Sequence, residues 1–164
     1  MADASSVRKS SALPDAAGRN NSSLRWIDGE LAVSNGTNWT YPGRVEVSSV
    51  GATADSAFYV ATRPMEVVAI RQVHSVAGSD GSAVNVQVVK DTGTDAPGAG
   101  TNLLTNNSNA GFNLKATANT VQTGTLTSTA ATKKLAAGDR LSVDFAGTLT
   151  DVAGVVVTVT LRPV

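Results

Sequence analysis

Cysteine is absent from this chain, and disulfides, thiolate nucleophiles and thiolate metal sites are excluded with it. Histidine occurs once, at position 74, so a zinc site has no second imidazole to draw on. Charge is also scarce. Charged residues make up 16% of the sequence, against roughly 25% in ordinary globular domains, and the 13 basic and 13 acidic residues cancel. Neither half holds a charge block, and phosphate neutralisation needs a concentrated Lys/Arg surface, so nucleic acid is not an expected partner. No stretch approaches the roughly 20 apolar residues of a membrane span. The first residues, MADASSVRKSSALPDAAGRNNSS, lack an apolar core of signal-peptide length. The expectation is a protein made in a cytoplasm, with no membrane partner. Asn-x-Ser/Thr triplets at Asn20, Asn21, Asn35, Asn38 and Asn106 then read as chance matches in an Asn- and Thr-rich chain.

What fills the chain instead is Thr, Ser, Asn, Gly and Val, a composition suited to extended chain and exposed β-surface. The clearest pattern lies in LAAGDRLSVDFAGTLTDVAGVVVTVTLRP at 135–163. Leu141, Val143 and Phe145 alternate with Ser142 and Asp144, and Val155, Val157, Val159 and Leu161 alternate with Val156, Thr158, Thr160 and Arg162. Period two of this kind predicts two half-buried strands. Val84, Val86 and Val88 predict another. With the run MEVVAIRQVHSVAG before it and the turn residues Gly78 to Gly81 between, a hairpin is expected there. In MEVVAIRQVHSVAG itself neither register is clean, which a bulge or a change of burial partway along reconciles. AFYVATRP predicts a short strand stopped by Pro64, and the Thr-rich VQTGTLTST at 121–129 an outer-face strand. Leu103 and Leu104, in the long connection at 91–111, are expected to make one helical turn that plugs an open end.

The fold class is therefore all-β, an antiparallel β-sandwich with jelly roll ahead of immunoglobulin-like topology, and with an extended N-terminal arm. The expected division is arm and linker at 1–56 and sandwich at 57–164. Residues 43–56 read as a linker or a weak edge strand on Val45 and Val47. The segment at 24–42 holds both tryptophans, and Arg25–Ile27 is expected to pair with Leu31–Val33 across Asp28-Gly29. Two readings of Trp26 and Trp39 stand side by side: cover for the domain core, or anchors to a neighbouring subunit or larger surface.

Catalytic chemistry finds little to work with. No Ser/His/Asp arrangement has a nucleophile elbow, and the Asp-x-Asp-x-Asp-Gly spacing of a calcium loop is missing around Asp80, Asp91, Thr94 and Asp95. Glu66 is the sole glutamate after residue 50, a poor start for a two-carboxylate glycosidase. No catalytic residue, metal or cofactor is expected. His74 reads as a structural side chain at a sheet edge or subunit contact.

Three segments, VNVQVVKDTGTDAPGAGTNLLT at 84–105, NTVQTGTLTST at 119–129 and the closing stretch at 135–163, resemble in order and spacing a small β-domain of tailed-phage virion proteins. The similarity is to capsid decoration (cement) and head-fibre proteins and covers about residues 57–164. It implies a non-enzymatic structural protein, commonly a homotrimer, that sits on the outer capsid surface against the major capsid protein and stabilises or decorates the lattice. Arg25, Trp26, Ile27, Trp39 and Tyr41 are then the expected partner contacts. The alternative is a receptor- or glycan-binding head of a fibre or other appendage, using loops 78–82 and 91–111.

Overall fold

The computed structural model describes residues 8–9, 11–16, 23–106 and 110–164. The flexible arm expected over residues 1 to about 23 falls largely outside them. The chain divides into two compact units, Met1–Arg44 with Arg162–Val164, and Val45–Leu161.

The smaller unit is a four-stranded sheet: β1 (Arg8–Lys9), β2 (Leu24–Ile27), β3 (Glu30–Ser34) and β4 (Trp39–Thr40), in that spatial order. β1 lies parallel to β2, and the other pairs are antiparallel. The expected pairing across Asp28-Gly29 is present, with Trp26 opposite Leu31 and Ile27 opposite Glu30. Both turn residues have positive φ, 50° at Asp28 and 80° at Gly29. Such a left-handed pair is what the two-residue type I′ connection demands, and Asp-Gly tolerates it best. Within the described part of the expected N-terminal arm, residues 24–40 carry three strands.

The larger unit is the sandwich, an all-β, antiparallel structure. Its strands are β5 (Val45–Val50), β6 (Ser56–Val60), β7 (Met65–Val73), β8 (Asn85–Asp91), β9 (Thr101–Asn102), β10 (Phe112–Asn113), β11 (Gln122–Thr123), β12 (Lys134–Leu135), β13 (Arg140–Ala146) and β14 (Val156–Pro163), the last strand's final two residues falling to the smaller unit. One sheet runs β5-β14-β7-β11, with β12 also on β7. The other runs β6-β13-β8-β10, with β9 also on β8. The stretch at 43–56 therefore supplies an edge strand of the sandwich, β5. α1 (Ala130–Lys133) is a single turn.

Alternation fills the interior as the closing stretch requires: Leu141, Val143, Val155, Val157, Val159 and Leu161 are all buried in one cluster with Val67, Ile70, Val86, Val88 and Phe112. The mixed register of β7 resolves as a change of burial. Met65 and Val67 face inward in its first half, Ile70 and Gln72 in its second, and the edge partner changes from β12 to β11 between them. In β6 a register shift against β13 leaves Phe58 unpaired between Ala57 and Tyr59. That bulge lets the consecutive Phe58 and Tyr59 both pack on the core.

Two expectations fail. β7 and β8 are not a hairpin, because they belong to opposite sheets; the turn at 78–81 carries the chain across the sandwich. Leu103 and Leu104 form no helical turn. The Leu103 amide donates to Val88 O at 2.9 Å and Leu104 bridges to Leu126, so both are buried as strand-like chain.

Candidate functional site

The smaller sheet has two unlike faces. Strand alternation puts Leu24 and Trp26 on one side of β2 and Arg25 and Ile27 on the other. On the first side, cross-strand pairing sets Trp26 beside Leu31 and Leu24 beside Val33. Leu24 is 43% and Trp26 41% exposed, while Leu31 and Val33 are half-buried. Four apolar side chains thus share one open face. At its end the Trp26 ring borders a cavity of about 160 Å³ whose walls include Gly29, Leu31, Gly43 and Pro163.

On the second side the same pairing brings Ile27 and Glu30 together, both buried. The Arg44 guanidinium donates to both Glu30 oxygens, Nε to Oε1 at 3.0 Å and Nη2 to Oε2 at 2.9 Å. Arg162 reaches Oε2 at 3.4 Å and donates to Asp28 O at 2.8 Å. Burial disfavours the Glu30 carboxylate, but the two guanidiniums outweigh it and hold its pKa below the ordinary value. Arg44 lies over the Tyr41 ring, 3.9 Å from its centroid.

The five residues expected to make partner contacts are therefore not one patch. Trp26 stands on the open apolar face. Arg25 and Ile27 point to the opposite side, Ile27 being buried and Arg25 turning Nη1 onto Leu24 O at 2.9 Å. Trp39 works inside the unit: its indole N–H donates to Pro14 O at 2.6 Å, and Ser34 Oγ donates to Ala16 O at 2.7 Å, so residues 14–16 are fastened to β3 and β4. Tyr41 supports Arg44. The sequence reading missed Leu24, Leu31 and Val33, though period two across the predicted hairpin points to all three. It also missed the Glu30–Arg44–Arg162 cluster, whose members are too far apart in the chain to leave a local signal.

Elsewhere, polar groups are engaged structurally. His74 is fully buried. Its Nδ1 accepts from the Gln72 amide at 3.1 Å and its Nε2–H donates to Ala116 O at 3.0 Å, an assignment set by the bonding network. It lies in the sandwich interior rather than at a sheet edge. Asp91, also fully buried, accepts from Ser142 Oγ and from the amides of Gly98 at 3.4 Å and Gly100 at 3.0 Å. Burial, with Asp55 and Asp91 nearby, raises the pKa of Asp144. Among the described residues no group of three or more His, Cys, Asp or Glu side chains could hold a metal ion, and no helix is long and apolar enough to cross a membrane.

Compared with models of known families, with curated proteins and with solved structures, the chain finds no match in any of the three.

Proposed function

We propose that the chain is a non-enzymatic structural protein of a tailed-phage virion, which sits on the outer surface of the capsid lattice against the major capsid protein and stabilises or decorates it. The observation that carries this reading is the open face of the smaller sheet, where Leu24 and Trp26 stand exposed beside Leu31 and Val33. Aromatic anchors on a small rigid sheet are the residues that dominate protein interfaces. Repetition of one such contact over a lattice multiplies a modest affinity by avidity.

The finer reading of the sandwich as a jelly roll is supported by its strand orders. Orders β5-β14-β7-β11 and β6-β13-β8-β10 place each of β6 to β8 in the sheet opposite its predecessor. The last two long strands return beside the first four, as in two interlocked Greek keys. The engagement of His74 and Asp91 in internal hydrogen bonds supports a non-catalytic role.

A glycan-binding head would need a stacking platform on loops 78–82 and 91–111, which contain no aromatic residue, and the neighbouring Phe112 is fully buried. The test is co-sedimentation of the full chain with purified capsids of its phage. The wild type should saturate at a fixed number of copies per capsid, and Trp26→Ala with Leu24→Ser should weaken binding by about 2 kcal/mol per site, roughly thirtyfold. Unchanged binding by the double variant would refute the assignment of the face, and absence of any capsid binding would refute the function.

A further inference from the structure

Between β10 and β11 the chain leaves one sheet of the sandwich and joins the other. Residues 114–121 are the strap that makes this crossing. Backbone bonds hold it down: the Leu114 amide donates to Val84 O at 2.9 Å, the Gly78 amide to Leu114 O at 2.9 Å and the Asn119 amide to His74 O at 2.8 Å. The His74 side chain adds a further hold, because its Nε2–H donates to Ala116 O in the middle of the strap at 3.0 Å. His74 is 0% and Gln72, two residues earlier, 1% exposed, so both side chains belong to the interior.

These side chains form one hydrogen-bonded chain with a backbone carbonyl at each end. Gln122 Nε2 donates to Asn113 O at 2.8 Å and to Gln72 Oε1 at 2.9 Å, and Gln72 Nε2 donates to His74 Nδ1 at 3.1 Å. The direction is forced. A carbonyl only accepts, so Gln122 must present its nitrogen to Asn113, and Gln72 must then present its oxygen to Gln122 and its nitrogen to the ring. His74 Nδ1 is left as an acceptor, and Nε2 carries the proton that the Ala116 carbonyl requires. A neutral imidazole completes the chain, and an imidazolium has no place in it. A proton on Nδ1 would face the Gln72 amide nitrogen. Turning Gln72 over moves the clash to Gln122, and turning Gln122 over as well sets its oxygen against Asn113 O. No carboxylate offsets the added charge: among the described residues none lies within ion-pair distance of the ring. Of the charged side chains on the surrounding chain, Lys115 donates to the Asp80 and Ser82 carbonyls, Asp80 accepts from the Ser82 amide and Asp151 from the Ser79 hydroxyl. Arg71 is exposed on β7.

We infer that His74 is an acid-operated latch for the strap: a second ring proton breaks the chain of hydrogen bonds and frees residues 114–121 from β7. An imidazole released into water takes up that proton at about pH 6.5. The closed strap holds the neutral ring, so closure is fully favoured above that pH and loses about a factor of ten per pH unit below it. From pH 7 to pH 5 the open population should therefore rise about twentyfold. This inference concerns the sandwich alone and stands apart from the proposed function.

The test is amide hydrogen exchange of the full, untagged chain at pH 7 and pH 5, each amide referred to its intrinsic rate at the same pH. Protection of the Asn119 amide should fall about twentyfold, while the amides of β8 and β13 keep theirs. His74 is the only histidine, so its ring gives the only imidazole signals in nitrogen NMR, and the Nε2–H form should persist wherever the strap is closed. His74→Gln supplies a donor and an acceptor that do not titrate, so its Asn119 protection should change by less than about threefold between the two pH values. Gln72→Glu accepts from Gln122 and from a protonated ring at once, and should likewise keep the strap closed at pH 5. Wild-type protection that changes by less than about threefold overturns the inference, as does an imidazolium signal from a chain whose strap is still protected. So does an acid loss shared by β8 and β13, or one that either variant retains. The wild-type measurements decide by themselves if a variant fails to fold.

Discussion

At Glu30 two opposed effects meet: burial disfavours the carboxylate, and the paired guanidiniums of Arg44 and Arg162 favour it by more. Because the folded pKa lies below the unfolded one, the group's contribution to stability is present above the ordinary carboxyl value of 4.5 and is lost as pH falls through the folded value. Trp26 and Trp39 are the only tryptophans, and both belong to the smaller unit. Tryptophan fluorescence therefore follows that unit alone. Melting read by this signal should be steady near neutral pH and fall on acidification below about pH 4.5. Glu30→Gln should lower stability by about 2 kcal/mol at pH 7 and remove most of the acid dependence; an unaltered acid limb would show that another carboxylate controls it. Asp144 carries the opposite sign. Its pKa is raised by burial and by Asp55 and Asp91, so it favours the fold below the ordinary value of 3.8 and loses that contribution as pH rises through its folded pKa. Asp144→Asn should accordingly raise the melting temperature at pH 7, with the gain shrinking toward pH 4. A gain that is independent of pH would point to packing instead of charge.

At the scale of strands and connections, legibility followed solvent exposure. β14 was readable because one face is buried and the other only half-buried, Val157, Val159 and Leu161 alternating with threonine and arginine. β13 was readable because polar Ser142 and Asp144 alternate with Leu141 and Val143, although Ser142 is itself buried. β8 shows the same alternation, but its outward Asn85 and Gln87 are buried too. Nothing in those side chains announces the connection that covers them. The expected β7–β8 hairpin failed for a related reason. Glycines at 78 and 81 mark a reversal, but a reversal into the opposite sheet and one into the same sheet look alike locally. Asp28-Gly29 succeeded because a two-residue left-handed turn leaves the chain no other course. The covering connection depends on close approach: a Cβ added at Gly100 would fall on the Lys90 carbonyl oxygen, and one at Gly111 on that of Val86. Backbone cannot give way as a flexible side chain does. Gly100→Ala should therefore cost about 3 kcal/mol in denaturant unfolding. A change under 0.5 kcal/mol, the usual range of neutral surface substitutions, would show that the connection is not held against β8.

For the whole molecule, the division into two units separates stability from the proposed contact. The hydrophobic cluster lies entirely between Ala61 and Leu161, within the larger unit. The open apolar face, the Trp26 cavity and the Glu30 cluster all belong to the smaller one. Removing residues 1–44 should leave a sandwich that unfolds cooperatively, because no member of its core is lost. Tyr59 becomes the only tyrosine and no tryptophan remains. Its ring packs on the core beside the β6 bulge, so near-ultraviolet circular dichroism of the truncated chain reports sandwich packing from a single site. The expected outcome is a retained tyrosine signal, a single unfolding transition and complete loss of capsid binding. Trp26→Ala with Leu24→Ser in the full chain distinguishes the face from the unit that carries it: weakened binding with normal acid-dependent melting assigns the contact to those side chains. A truncated chain that still saturates capsids would move the contact to the sandwich, and one that loses its tyrosine signal would show that the larger unit does not fold alone.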